Sequence, residues 1–131
     1  MGIHMAHAAL TTHDTEKCLS FYRDLLGLQV AIDYGEQPSE LKTHDPDGKM
    51  HVMMLADDDG LQCIETFEFH NTEQRELGDK CRHTDFWVPH VAFTVDNLRA
   101  LYDKLVAEGV EVSIPFTDVG GYQFAYVYDF E

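Results

Sequence analysis

Two stretches of the chain carry the same alternation of apolar and polar positions, and the elements they predict repeat. Residues 7–30 read HAALTTHDTEKCLSFYRDLLGLQV and residues 87–112 read WVPHVAFTVDNLRALYDKLVAEGVEV. Each puts a histidine at the head of a short alternating run, then an Asp, then helix-spaced apolar residues closed by Gly and followed by β-branched residues. His7 to Thr11 lies over His90 to Thr94, an offset of 83 residues (90 − 7), and Asp14 lies over Asp96 at an offset of 82 (96 − 14). Alternate side chains of a strand share a face, so His7, Ala9 and Thr11 point one way, as do His90, Ala92 and Thr94. Leu10, and Val91, Phe93 and Val95, point the other way. A helix is predicted to cover that second face in each copy, with Asp14 and Asp96 as N-caps and Gly27 and Gly109 just past the C-termini. Leu19, Tyr22 and Leu26 in one copy, and Leu98, Leu101, Tyr102 and Leu105 in the other, have helical spacing.

The rest of the pattern fills in around these copies. Residues 3–12 read as the first strand, 14–26 as the first helix and Leu28 to Tyr34 as a second strand. The polar run GEQPSELKTHDPDGK, residues 35–49, predicts a loop or hairpin connection. His51 to Leu55 is a short strand, and residues 56–60 are a turn. The run from Leu61 to Phe69 alternates, with Leu61, Cys63, Phe67 and Phe69 on one face and Glu65 in their midst. Residues 70–86 are a polar linker crossing the surface. The second module begins at Trp87, with a strand at 110–114, a loop at 115–121 and a last strand from Tyr122 to Tyr128. The chain thus reads as a single domain over 1–131, with modules at 1–69 and 87–131. By the pattern of the first module, a further strand is expected after Asp129.

Composition narrows the class. A chain of 131 residues divided into modules of about 60 residues needs one shared core, because such small units are marginal alone. No run reaches transmembrane length. The start, MGIHMAHAAL, lacks the basic and apolar regions of a signal peptide, so a cytoplasmic protein is expected. Cys18, Cys63 and Cys81 are widely spaced without a Cys-x-x-Cys pair and read as free thiols. A formal charge of −15 argues against nucleic acid and anionic membrane as partners.

Three residues suit chemistry: His7, Glu65 and His90, each aimed by parity at a face of small or apolar neighbours. A carboxylate on an apolar face is costly unless paired, protonated or bound to a cation. Two imidazoles and a carboxylate suit one divalent ion such as Zn, Ni, Fe or Mn. The competing reading is that each histidine simply hydrogen-bonds within the core. His4, His13, His44, His51, His70 and His83 are expected at surface or supporting positions, and Asp57 to Gly60 is a turn rather than a calcium loop.

The stretches HAALTTHDTEKCLSFYRDLLGL, CIETFEF, PHVAFTVDNLRALYDKLVAEGVEV and GGYQFAYVYD resemble the vicinal oxygen chelate superfamily of glyoxalase I, methylmalonyl-CoA epimerase, extradiol dioxygenases and the fosfomycin and bleomycin resistance proteins. The resemblance implies an α+β fold in which two βαβββ modules form a cupped mixed sheet with helices outside. It puts metal ligands at His7, Glu65 and His90, and implies homodimers that build or complete the sites. In the family a fourth ligand, usually Glu, follows in the last strand; here the corresponding segment begins at Asp129, and Glu131 comes too early in register. Either the chain is a fragment, or three groups and water hold the ion. The ligand pattern is most similar to glyoxalase I. That implies a lyase or isomerase acting on a small carbonyl or thioester substrate through an enediolate, with Glu65 as a candidate base. The alternatives are a metal-free small-molecule binding protein of the bleomycin-resistance type, for which Phe124, Tyr126 and Tyr128 would suit an aromatic cup, and an extradiol-type dioxygenase.

Overall fold

The computed structural model describes residues 2–76, 82–86 and 90–131. Trp87, the expected start of the second module, and Cys81 lie outside the described residues. The first half follows the expected order of elements, with its first strand confined to 8–11 of the expected 3–12: strand β1 (Ala8–Thr11), helix α1 (Thr15–Leu19) running on into a π-helical turn (Ser20–Leu25), β2 (Gln29–Pro38), a short helix α2 (Glu40–Thr43), β3 (Lys49–Ala56) and β4 (Ile64–His70). The strands form a sheet in the order β1-β4-β3-β2. The β1–β4 pair is parallel and the other two pairs are antiparallel.

Strand parity decides what is buried. Leu10, Met53, Leu55 and Ile64 point to the helix side and meet Cys18, Leu19, Phe21, Tyr22 and Leu28 in the core, where Leu55 and Ile64 are completely buried. Asp14 is the N-cap, its carboxylate accepting the N–H groups of Glu16 and Lys17. Glu68 reaches across from β4 to accept the Thr15 N–H at 2.7 Å and the Thr15 hydroxyl, tying the helix start to the sheet. Gly27, at φ +86°, turns the chain out of the helix in the left-handed region that glycine adopts without a Cβ clash.

The second half is less complete. Helix α3 (Leu98–Ala107) is followed by the hairpin β5 (Val112–Val119) and β6 (Tyr122–Val127). Its N-cap is Asn97, whose side chain accepts the Ala100 N–H, and not Asp96 as expected. Gly109 at φ +80° ends it as expected. The halves share one core: Val110, Val127 and Phe130 pack against the buried cluster of the first half. In addition, Asp129 accepts a hydrogen bond from the Tyr22 hydroxyl at 2.9 Å. No helix among the described residues is long and apolar enough to cross a membrane.

Three further expectations need correction. The loop expected at 35–49 starts only after Pro38, because β2 is an edge strand whose side chains are mostly exposed; its extent is set by backbone pairing to β3, and an edge tolerates Gly35 and Pro38. The loop expected at 115–121 is largely strand: Pro115 falls where the register slips between Ile114 and Thr117, and only Gly120 and Gly121, both at positive φ, form the turn. The strand expected at 90–95 is not formed, and Val91 and Phe93 are exposed. Alternation supplies a face but no hydrogen-bond partner. β1 has β4 beside it, whereas among the described residues no strand pairs with 90–95.

Candidate functional site

On the sheet face away from the helix, β1 and β4 run side by side with Ala9 opposite Glu65 and Thr11 opposite Phe67. His7 precedes β1 by one residue and shares the parity of Ala9, so its ring falls beside Glu65. The His7 Nε2 is 3.0 Å from Glu65 Oε2. Val52 and Met54 of β3, opposite Phe67 and Glu65, complete an apolar surround on this face. The unpaired carboxylate that the alternation left in an apolar run therefore has a partner. Both side chains keep contact with solvent, His7 at 36% and Glu65 at 22% exposure.

His90 is not brought into this pair. It is exposed, and its ring stands edge-on to Tyr126 at 5.6 Å between centroids. Tyr126 is flanked a second time by His83, at 5.1 Å, whose Nε2 lies 3.0 Å from the Ser113 hydroxyl. The ring contacts continue along β6 through Phe124, 6.3 Å from Tyr126, to Tyr122, 5.7 Å from Phe124. The even-numbered residues of β6 thus present an aromatic row with two imidazoles at one end. Of the expected row, Tyr128 lies just past β6. Among the described residues, no group of three or more His, Cys, Asp or Glu side chains is assembled to hold a metal ion.

The donor chemistry of His7 and Glu65 fits a divalent ion: one imidazole nitrogen and one carboxylate oxygen, in contact and partly open to solvent. Two protein donors are one short of the three that a typical catalytic zinc site uses. His90, the third residue expected, rests against Tyr126 instead. His51 forms a separate pair with Asp33 at 2.7 Å, and His70 with Glu68 at 3.2 Å. Neither joins the His7–Glu65 pair in a ligand cluster. Sequence reasoning missed the cluster around His13, described below, because its partners come from residues 76 and 131 and no local pattern links them.

The two free thiols described, Cys18 and Cys63, are not set up as nucleophiles. Burial, then the nearby Asp129 and Glu131 carboxylates, push the Cys18 thiol up to about 12, and burial also raises Cys63.

Comparison with known proteins agrees with this architecture. No individually curated protein matches the chain. Among solved structures, a glyoxalase family protein from Bacillus cereus superposes with a TM-score of 0.77 at 16% identity, over 97% of this chain and 87% of that one. The trypanothione-dependent glyoxalase I of Leishmania major gives 0.66 at 16% identity, over 98% and 80%. A mutant of the fosfomycin resistance protein FosX from Listeria monocytogenes, solved with Mn(II) and dihydroxypropylphosphonic acid, gives 0.60 at 23% identity, over 99% and 86%. At these identities the likeness is one of fold. The family model that matches, over residues 4–131, is that of the Glyoxalase/Bleomycin resistance protein/Dioxygenase superfamily, and the chain belongs to it.

Proposed function

We propose that the protein is a divalent-metal-dependent, glyoxalase I-like lyase or isomerase that moves a proton between adjacent carbons of a small carbonyl or thioester substrate. The observation that supports this is the His7–Glu65 pair, an imidazole and a carboxylate in contact at 3.0 Å on the sheet face away from α1. Its fold is shared with a glyoxalase I and with a protein solved with Mn(II). In this reading His7 and Glu65 hold the ion and His90 joins them as third ligand. A bound ion would act as a Lewis acid on the substrate's carbonyl oxygen. Glu65 is the proton carrier: a carboxylate accepts a proton from the carbon beside the carbonyl and returns it to the neighbouring carbon. Val52, Met54 and Phe67, all buried, make the surroundings of that carboxylate apolar.

The test is activity of the purified protein, loaded in turn with Zn, Ni, Fe and Mn, on hemithioacetals, acyl-CoA thioesters and catechols, with metal content measured on the same samples. Turnover of the first or second class, lost in Glu65→Gln together with bound metal, supports the reading. Turnover of catechols alone would point to an extradiol-type dioxygenase instead.

A second reading rests on the aromatic row from Tyr122 to Tyr126, which suits a metal-free binding protein holding a small molecule by stacking. Ligand binding that is unchanged by a chelator separates it from the first. We also propose a homodimer, since β2 and the β5–β6 hairpin leave strand edges open among the described residues. Sedimentation at twice the 15.0 kDa chain mass would bear this out, and a monomer at micromolar concentration would oppose it.

A further inference from the structure

Away from the His7–Glu65 face, side chains from three separate parts of the chain meet at one imidazole. His13 stands at the corner between β1 and α1, with Nε2 2.6 Å from Glu76 Oε1 and Nδ1 3.2 Å from Glu131 Oε2. The other oxygen of Glu131 accepts the Thr12 hydroxyl and the His13 backbone N–H, each at 2.7 Å. Glu76 belongs to the connection that leaves β4. Glu131 follows Asp129 and Phe130, which are both set against Tyr22. The cluster borders a cavity of about 270 Å³ that Thr11, Gln74 and Arg75 also line.

A neutral imidazole carries one N–H and one lone pair, while an imidazolium carries two N–H donors. With a carboxylate at each nitrogen, the neutral ring satisfies one and turns a lone pair toward the other; the charged ring satisfies both. The two carboxylates occupy opposite edges of the ring, so they cannot join it around a single metal ion. We propose that His13 is a proton-operated latch that fastens the chain segment 129–131 and the connection at Glu76 to the β1–α1 corner.

The surrounding charges favour the closed form. Besides Glu76 and Glu131, the neighbouring carboxylates are Asp14, bound to the N–H groups of Glu16 and Lys17, Glu68 on β4, bound at Thr15, and Asp129, which accepts from Tyr22 and from the Glu131 N–H. Among the described residues, Arg75 brings a guanidinium to the cavity lining. The hydrogen bond to Glu76, followed by that to Glu131, raises the His13 pKa above its ordinary value. For a raised histidine the sign is fixed. With the carboxylates ionised, the latch is fully closed below about 6.5, and it opens as the pH rises through the raised value. Opening gives up one of the ring's two carboxylate bonds at the corner after β1, the strand that His7 precedes, while Asp129 stays on the Tyr22 hydroxyl. The latch therefore couples the two halves to proton concentration.

Two measurements on the full chain test this. The first is an NMR titration of the His13 ring, in the wild type and in the Glu76→Gln plus Glu131→Gln variant. The second is hydrogen exchange at the His13 amide, whose N–H is donated to Glu131, at pH 6 and pH 9 with intrinsic rates corrected. The latch predicts a titration midpoint above 6.5 that falls back toward it in the double variant. It also predicts protection at pH 6 that is lost at pH 9, and a His13→Gln variant whose protection does not change with pH. A wild-type midpoint at or below 6.5, a midpoint unmoved in the double variant, or pH-dependent protection that persists in His13→Gln would each overturn it.

Discussion

The first and second halves begin from the same frame, His-x-Ala-x-Thr followed by a capped helix, and end differently. In the first, residues 8–11 are a strand, held in parallel to β4 and covered by α1. In the second, residues 90–95 form no strand, and Val91 and Phe93, which hold the place of Leu10's face, are exposed. The difference is not in the alternation but in what lies beside it. A strand needs its backbone groups paired as well as its apolar face covered, and among the described residues only the first copy has both. The consequence reaches the site: His7, at the head of the paired copy, is set against Glu65, while His90, at the head of the unpaired copy, rests on Tyr126.

The largest effect that can sharpen this contrast comes from the core. Leu55→Ala should destabilise the protein by about 2–5 kcal/mol in urea denaturation, the cost of a cavity in a fully buried site. Tyr122→Ser, on the exposed hairpin, should stay within about 0.5 kcal/mol. Equal costs would mean that the second half is as tightly packed as the first.

Next comes the contact that joins the halves. Tyr22→Phe removes the hydroxyl bound to Asp129 and should cost about 1–2 kcal/mol. Burial, together with that carboxylate, raises the Tyr22 pKa, so the phenol stays protonated and donating across the whole stable range. The helix caps follow: Asp14 accepts two N–H groups and Asn97 one. Asp14→Ala should cost about 1 kcal/mol and Asn97→Ala less, measured by the shift of the thermal midpoint.

The smallest effect is a pH dependence. Partial burial raises the Glu68 pKa, but the hydroxyl and N–H of Thr15 and the nearby His70 outweigh it, and the net shift is downward. Its stabilisation is therefore present above the ordinary glutamate value of about 4.3 and is lost as the pH falls through the lower folded value. A Glu68→Gln variant should show a flatter acid limb in a pH series of thermal melts, and an unchanged limb would remove Glu68 from the account.

The sequence was readable where local pattern and tertiary pairing agree. Asp14, Gly27, Gly109, the 57–60 turn and the parity of His7 and Glu65 follow from capping, positive φ and strand alternation, all of which are local. The π-helical turn at 20–25, the length of β2 and the strand through Pro115 depend on what packs or pairs alongside, and period counting does not contain that information. The failure at 90–95 has the same origin, because an alternating run specifies a face and leaves its hydrogen-bond partner unspecified. Of the candidate site, the His7–Glu65 contact was legible as a carboxylate that needed a partner. The place of His90 was not, because it depends on Tyr126, which is 36 residues further along the chain (126 − 90).

The central claim is that His7 and Glu65 together hold a divalent ion. Titration calorimetry of the wild type with Mn(II), Ni(II) and Zn(II), set beside a His7→Ala plus Glu65→Gln variant, tests it without any substrate. The account predicts one ion per wild-type chain for at least one metal, and loss of that binding in the variant while the melting curve remains cooperative. Undiminished stoichiometric binding by a folded variant, or no binding of any of the three metals by the wild type, would contradict it.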